Sequence, residues 1–141
     1  MATKYKLDFI DDNEDVFYGI VANTLDYKLA LAINNKINIS LRCSTPIVPS
    51  DVDNPDIFFT KFSHKTKNSD MVIDLVSNRI ANNYLLKKLK NIDFLFIIHF
   101  PESSEFIENC LAGIREIPDV VSVFQIDISN QKDKRIKLLD L

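Results

Sequence analysis

Residues 92–128 decide the fold, and they read IDFLFIIHFPESSEFIENCLAGIREIPDVVSVFQIDI. The first nine residues are almost continuously apolar, as expected for a strand that is covered on both faces. A proline and two serines within 101–104 predict the start of a helix, which Pro118 ends. Residues 120–128 then predict a returning strand. This part of the chain is therefore expected to form a β-α-β unit.

The helix of this unit carries one apolar face. Phe106, Cys110 and Ile114 recur at intervals of four residues, which places them on the same side of a helix. We expect that face to pack against the two flanking strands. The predicted members of this shared core are Phe96, Ile98, Phe106, Cys110, Ile114 and Phe124.

The first third of the chain predicts a second β-α-β unit. Residues 5–9 alternate in the manner of a half-buried strand, and residues 16–22 are apolar without a clear period, so they are a second strand or an ambiguous run. Thr24 is the predicted N-cap of a helix that ends near 34–36. Residues 37–43 alternate strictly and predict the clearest strand of the protein.

The two units are separated by antiparallel strands. Residues 57–62 and 71–76 flank a polar stretch and predict a hairpin, whereas the proline-containing residues 44–55 predict a loop. Residues 78–91 fit a turn, a short helix or a strand. The fold class is therefore α+β, with a mostly antiparallel sheet and two helices on one face. A ferredoxin-like arrangement with an inserted hairpin is the favoured topology, and a sheet unlike any common superfold is the alternative.

Composition predicts a single domain over residues 1–141. Hydrophobic residues make up 46% of the chain, which is enough for a core at this length. The net charge of −3 argues against nucleic-acid binding, which depends on clustered Lys and Arg. The longest apolar run is far shorter than the roughly 20 residues of a membrane-spanning helix. We therefore expect a cytoplasmic protein with no membrane partner, and we expect Cys43 and Cys110 to be buried thiols.

No familiar catalytic or cofactor motif is present in the sequence. The chain has only two glycines, so neither a P-loop nor a dinucleotide fingerprint can be written. His64 and His99 are the only histidines, and no Cys, Asp or Glu lies at metal-ligand spacing around them. We expect no cofactor, no metal site and no catalytic residue. His64 is expected to be solvated near a hairpin tip, and His99 to be a satisfied edge residue at the end of its strand.

Charged stretches are interpreted as solvated surface. The acidic residues within 11–15 predict a turn, with a cation site as the alternative. The basic stretches at 87–90 and 132–137 contain no interleaved aromatic residues, so they predict solvent-facing segments and not a binding surface for nucleic acid.

Several segments follow the order of motifs in one known family. Residues 26–34 (DYKLALAIN) resemble a "DYRLAYLLN" helix, and residues 77–86 contain SNR followed by NNYLL. Residues 92–94 (IDF) take the place of a "VDY" signature, and residues 117–127 resemble an "IPxV…VFEID" ending. Together they resemble the IPExxxVDY family of small bacterial proteins. The resemblance implies one full-length bacterial domain and supplies no activity.

The chain departs from this family at its signature. Lys87 and Lys88 occupy the positions of its Pro-Glu dipeptide. Because lysine has the backbone N–H that proline lacks, we expect residues 84–90 to be helical or extended, and not a proline-type turn.

Two functional hypotheses remain open. The first is a non-catalytic binding or scaffolding module, which associates with itself through a sheet edge or a helix face. The second is a small-ligand receptor or enzyme whose polar site uses residues of the family-like segments that packing does not obviously need, namely Asp26, Tyr27, Arg79 and Asp93. Alternatively, Asp26 only stabilises its helix and Asp93 only starts its strand.

Overall fold

The fold is given by a computed structural model, which describes residues 15–50, 56–127 and 133–139. The elements, in chain order, are β1 (Val16–Ala22), α1 (Asp26–Ile37), β2 (Arg42–Cys43), β3 (Lys61–Lys65), β4 (Val72–Ser77), β5 (Arg79–Ile80), β6 (Asn83–Tyr84), β7 (Phe94–His99), α2 (Ser104–Arg115), β8 (Val120–Gln125) and a 3₁₀ helix (Lys134–Leu139). Six strands form one sheet in the order β2-β3-β4-β7-β1-β8, and β5 and β6 form a separate ribbon. The predicted α+β class is confirmed.

The sheet is antiparallel at every pair of neighbouring strands. β7 and β8 are joined through α2 and enclose β1, while β1 and β4 are joined through α1, β2 and β3 and enclose β7. This is a split β-α-β arrangement used twice, and the order β4-β7-β1-β8 is compatible with the expected ferredoxin-like topology. The predicted hairpin is present as β3 and β4, but it belongs to the sheet itself, and β2 extends the sheet beyond it.

The central strand β7 is covered on both faces, as its sequence predicts. All six of its residues are buried. Phe94, Phe96 and Ile98 contribute to a core shared with the helices, whereas Leu95 and Ile97 contribute to a core on the opposite face. Because side chains alternate along a strand, a continuous apolar run is what a strand between two cores requires.

The helices cover one face of the sheet. Leu29 and Ile33 of α1 and Cys110 and Ile114 of α2 are buried against the strands. The predicted start of α2 is confirmed, because the Ser103 side chain caps it by accepting a hydrogen bond from the Phe106 N–H at 3.1 Å.

The second core lies on the face away from the helices. Irregular segments and the 3₁₀ helix cover it, and its buried members are Phe17, Ile47, Phe59, Val76, Leu85, Leu86, Ile92, Leu95, Ile97, Ile126 and Leu139. Gly19 of β1 makes room for this packing. A Cβ at position 19 would lie 2.6 Å from Cδ1 of the fully buried Ile92, so a glycine inside this strand allows close approach.

The predicted core of the C-terminal unit is correct in four of its six members. Phe96, Ile98, Cys110 and Ile114 are buried together. Phe106 is only partly buried at the margin of that core. Phe124 packs against the second core instead, because alternation along β8 turns it to the other face of the sheet.

The predicted strand over residues 37–43 is wrong. Ile37 ends α1, Asn38 forms a left-handed C-cap with φ 57°, and only Arg42 and Cys43 pair with β3. The cause is Asn34, whose side chain accepts a hydrogen bond from the Leu41 N–H at 2.7 Å and donates one to the Leu41 carbonyl at 3.2 Å. These bonds hold the segment against the helix and not in the sheet.

Other boundaries also differ from the expectations. Thr24 does not cap α1, because the capping position is Leu25, which makes no side-chain cap hydrogen bond. The hairpin strand predicted at 57–62 is β3, displaced to Lys61–Lys65. The uncertain run 16–22 is strand β1, and the strand predicted at 5–9 lies outside the described residues.

Residues 85–90 are neither helical nor extended, contrary to the expectation for 84–90, and only Tyr84 of that segment is extended, in β6. After β6, the Leu89 N–H donates to the Leu86 carbonyl at 3.0 Å and the Ile92 N–H donates to the Leu89 carbonyl at 3.1 Å, which gives two successive turns. Lys87 and Lys88 are exposed. The basic stretch near the C-terminus is not wholly solvated either, because Arg135 is buried and donates to the carbonyls of Tyr84 and Leu85.

None of the helices in the described part of the chain is both long and apolar enough to span a lipid bilayer.

Candidate functional site

A cleft of about 260 Å³ lies at the end of the sheet where β1 leads into α1 and β4 leads into β5. Its lining includes three of the four residues singled out in the sequence, Asp26, Arg79 and Asp93, together with Thr24 and Ser77. These residues come from segments far apart in the chain, so the fold assembles the cleft. We call it the Arg79 cleft.

The centre of the Arg79 cleft is an ion pair. Arg79 Nη2 lies 3.0 Å from Asp93 Oδ1, and Asp93 Oδ2 accepts a hydrogen bond from the Ala22 N–H at 3.0 Å. The Asp93 backbone is held as well, because its N–H donates to Ile20 and its carbonyl accepts from the Asn78 N–H. The Asp93 carboxylate is therefore fixed in place, whereas the Arg79 side chain is 50% exposed.

Asp26 and Tyr27 differ in their relation to the cleft. Asp26 is the first residue of α1, where a carboxylate is favoured by the helix dipole, and its Oδ1 accepts a hydrogen bond from the Tyr27 N–H at 2.7 Å. It also lines the cleft. Tyr27 does not line it, and its side chain is half exposed. The structure thus brings Asp26, Arg79 and Asp93 together and leaves Tyr27 out.

The backbone of the cleft wall is strained at one residue. Ala81, which follows β5 and lines the cleft, has φ 53°. The left-handed region costs an alanine roughly 1 kcal/mol or more, and such conformations occur preferentially at functional sites. The strained backbone at Ala81 is thus a second observation, independent of the ion pair, that favours a functional role for the cleft.

A second polar group was not foreseen in the sequence, and it lies on the sheet face opposite the helices. His99 in β7 has its Nδ1 2.9 Å from Asp15 Oδ2 and its Nε2 2.8 Å from Asp74 Oδ2. Ser63 in β3 donates to the other oxygen of Asp74 at 2.5 Å, and Lys61 Nζ lies 3.9 Å from Asp74 Oδ2. His99 lies at the end of its strand and its ring is satisfied, as expected, but it is buried on the central strand β7 and is not an edge residue.

The signal for this group was present in the sequence. Asp74 interrupts the apolar run at 71–76, and a carboxylate there needs a partner when both faces of the strand are buried. The identity of the partner depends on the register of β4 against β7, which sequence periodicity does not give.

The ionisation of His99 and Asp74 is coupled. Burial would lower the pKa of His99, but hydrogen bonds to Asp74 and Asp15 and the charges of both carboxylates outweigh burial and raise it. Burial would raise the pKa of Asp74, but hydrogen bonds from His99 and Ser63 and the nearby Lys61 charge outweigh burial and lower it. The favoured state is an imidazolium between two carboxylates.

This arrangement suits structure better than catalysis. Both ring nitrogens of His99 are bonded to carboxylates, so neither is available to take a proton from a substrate. Cys110 is buried, and burial raises the pKa of its thiol to about 11, which disfavours the nucleophilic thiolate. Cys43 is exposed, contrary to the expectation of two buried thiols.

The described residues form no obvious metal site. Across residues 15–50, 56–127 and 133–139, no group of three or more His, Cys, Asp and Glu side chains is arranged to hold a metal ion. His64 accepts a hydrogen bond from the Ser40 N–H through Nδ1 at 3.1 Å, so this ring is engaged with the backbone and not simply solvated.

Comparisons with known proteins return no relative. No family model matches the chain, and searches of the curated proteins and of the solved structures find no significant match. Functional inference therefore rests on the geometry of the residues.

Proposed function

We propose that the protein is a non-catalytic, cytoplasmic binding module, and that the Arg79 cleft is its site for a small polar ligand. The observation that carries the proposal is the Arg79 guanidinium, which is anchored through one nitrogen to a fixed carboxylate and half exposed in a cleft. The exposed thiol of Cys43 is compatible with a reducing compartment. The resemblance to the IPExxxVDY family adds no activity.

The Arg79 guanidinium has N–H donors that its ion pair with Asp93 does not use. Arginine carries five N–H donors in a planar fork, and the pair with Asp93 engages only Nη2. A purely structural role, in which the ion pair only stabilises the end of the sheet, would not require the arginine to be half exposed beside a cleft. Preorganisation by Asp93 lowers the entropy cost of binding a ligand, because the arginine is already held in one place.

The charges of the cleft define the ligand class. The remaining Arg79 donors suit a carboxylate or another oxyanion, and the Asp26 carboxylate suits an ammonium group or hydroxyl donors. Thr24 adds a hydroxyl group that can both donate and accept, whereas the buried Ser77 hydroxyl is already bonded to Thr60 Oγ1 at 2.6 Å. A small zwitterion of amino-acid size is the class of molecule that matches both charges within about 260 Å³.

The test is a binding screen with free amino acids and small hydroxy acids. Hits from thermal-shift assays are titrated by calorimetry and by amide NMR, where the shifts should map to residues 22–26, 77–81 and 93–94. Arg79→Gln should weaken a hit about tenfold, the effect of losing one charge-assisted interaction. Lys28→Gln removes the same charge from an exposed position on α1 outside the cleft and should leave binding unchanged.

Two results would contradict the proposal. One is the absence of any saturable ligand in the screen, and the other is equal weakening by Lys28→Gln and Arg79→Gln. The enzyme alternative is tested in the same samples, since a turned-over ligand changes its own NMR spectrum during incubation. Self-association, the other expected property of a binding module, is read from sedimentation velocity on the same protein.

A further inference from the structure

A second cleft lies beside the two-residue strand β2 and shares no lining residue with the Arg79 cleft. Its volume is about 640 Å³, within the range of small-molecule sites. Residues 40–44 form one wall, and residues 63–67, from β3 and the hairpin tip, form the other. We call it the β2 cleft.

The β2 cleft exists because strand pairing stops early. Arg42 pairs with Ser63, and the next residues toward α1 would pair with His64 and Lys65 if the strand continued. Instead the Ser40 N–H donates to the His64 ring, and both backbone groups of Leu41 bond to Asn34. The segment leaves the sheet at Arg42, and a gap opens beside β3.

Charge is segregated in this gap. Arg42, Lys65 and Lys67 line the cleft, and none of its described lining residues is Asp or Glu. The chain as a whole contains 20 acidic against 17 basic residues, so a wall with three cations and no carboxylate is not the average surface of this protein. Asp74, behind Ser63, is already paired with His99.

Neutral hydrogen-bond donors accompany the cations. Ser40 and Ser44 are among the lining residues and carry hydroxyl groups. Thr66 also belongs to the lining, but its Oγ1 is buried, so we do not count that hydroxyl among the donors. Because His64 Nδ1 accepts from Ser40, the neutral ring carries its proton on Nε2 and keeps a donor there.

We propose that the β2 cleft binds a small phosphate-bearing molecule. A phosphate group offers up to two negative charges and three acceptor oxygens, which match several cations and hydroxyl donors better than a single carboxylate does. Among the described lining residues there is no Phe, Tyr or Trp to stack a base, and the net charge of the chain is −3, so a small anion fits better than a nucleic-acid strand.

The test uses pyrophosphate as the probe, titrated by calorimetry and amide NMR at constant ionic strength. We expect saturable binding with shifts confined to residues 40–44 and 63–67. The variants Arg42→Gln and Lys65→Gln should each weaken binding about tenfold, whereas Lys88→Gln, an equal loss of charge at an exposed position outside this cleft, should leave it unchanged. Thermal unfolding of each variant separates lost binding from lost folding.

The outcomes distinguish the alternatives. The proposal would be overturned if Lys88→Gln weakened pyrophosphate binding as much as Arg42→Gln or Lys65→Gln does, or if binding disappeared at 150 mM salt. Either result would show that pyrophosphate is held only by nonspecific electrostatic attraction. So would citrate binding as tightly as pyrophosphate, or an oligonucleotide binding where pyrophosphate does not. Arg79→Gln should leave the affinity for pyrophosphate unchanged. The proposal for the β2 cleft can therefore fail while the proposal for the Arg79 cleft stands, and the reverse.

Discussion

His99 Nε2 lies 2.8 Å from Asp74 Oδ2, and this pair joins the two central strands β7 and β4 on the face away from the helices. Both side chains are less than a tenth exposed. A shift of β4 by one residue would turn Asp74 into the helix-covered core, whose described members are hydrophobic residues. The pair therefore helps to fix the register of strands that are otherwise apolar on both sides.

The ion pair predicts how stability depends on pH. The pKa of His99 is raised in the folded state, so its contribution is complete below its unfolded pKa of about 6.5 and is lost as pH rises through the folded value. The pKa of Asp74 is lowered, so its contribution is complete above about 3.8 and is lost as pH falls through the folded value. Urea unfolding should show maximal stability between these limits.

His99→Gln tests this assignment, with His64→Gln as the matched control. Breaking a buried pair costs about 3–5 kcal/mol, and the decline in stability above pH 6.5 should disappear with the histidine. His64→Gln removes the only other histidine and keeps the His99 pairs, so the decline should persist. Stability of the parent protein that rises between pH 6.5 and 9 would contradict the prediction.

Asn34 should be important for stability although it is only partly buried. Its side chain satisfies both backbone groups of Leu41, so Asn34→Ala should cost about 2 kcal/mol in urea unfolding. Asn35→Ala is the control, because Asn35 is the exposed neighbour on the same helix, and it should change stability by no more than about 0.5 kcal/mol. Equal effects of the two variants would show that the Leu41 bonds contribute nothing.

The sequence predicts most of the regular elements because their signals are local. Apolar run length and helical spacing were sufficient for β7, α2 and β8. Residues 37–43 were misassigned because their alternation is genuine, while the bonds from Asn34 to Leu41 and from Ser40 to His64 join positions that no periodicity relates. The predicted boundaries of secondary structure are wrong where the backbone is hydrogen-bonded to a side chain and not to a neighbouring strand.

For the candidate sites, too, the sequence identifies individual residues but not the distant residues that they meet in the fold. Asp26, Arg79 and Asp93 were identified from family-like segments, and their convergence depended on the fold. The β2 cleft has no signature of its own, because Arg42 and Lys65 come from separate segments that meet only in the folded chain.

The two thiols should react at very different rates. Cys43 is exposed, whereas Cys110 is buried with a thiol pKa raised to about 11. A disulfide-exchange reagent at pH 8 should therefore modify one thiol per folded chain quickly and the second only on unfolding. Cys43→Ser should remove the fast phase, and Cys110→Ser should leave it intact. Rapid modification of both thiols in the folded protein would contradict the burial of Cys110.

We expect that the Pro-Glu dipeptide of the family which the sequence resembles can be introduced at Lys87 and Lys88 with little loss of stability. The Leu89 N–H bonds to the Leu86 carbonyl, so Lys87 is the second residue of a turn, a position that proline favours. Lys87→Pro with Lys88→Glu loses the exposed hydrogen bond from the Lys87 N–H to Asp133 Oδ2 at 3.2 Å, but it restricts the unfolded chain. We expect the free energy of unfolding to change by no more than about 1 kcal/mol.

Lys88→Pro is the control for this turn. Lys88 is the third turn residue, and it is not among the residues with positive φ, so a type I geometry applies. Proline at that position forces the preceding residue out of the helical region and should destabilise the protein clearly more than the double variant does. Urea unfolding of the two variants compares them directly. If Lys87→Pro with Lys88→Glu lost as much stability as Lys88→Pro, the assignment of Lys87 to the second position of the turn at 86–89 would be wrong.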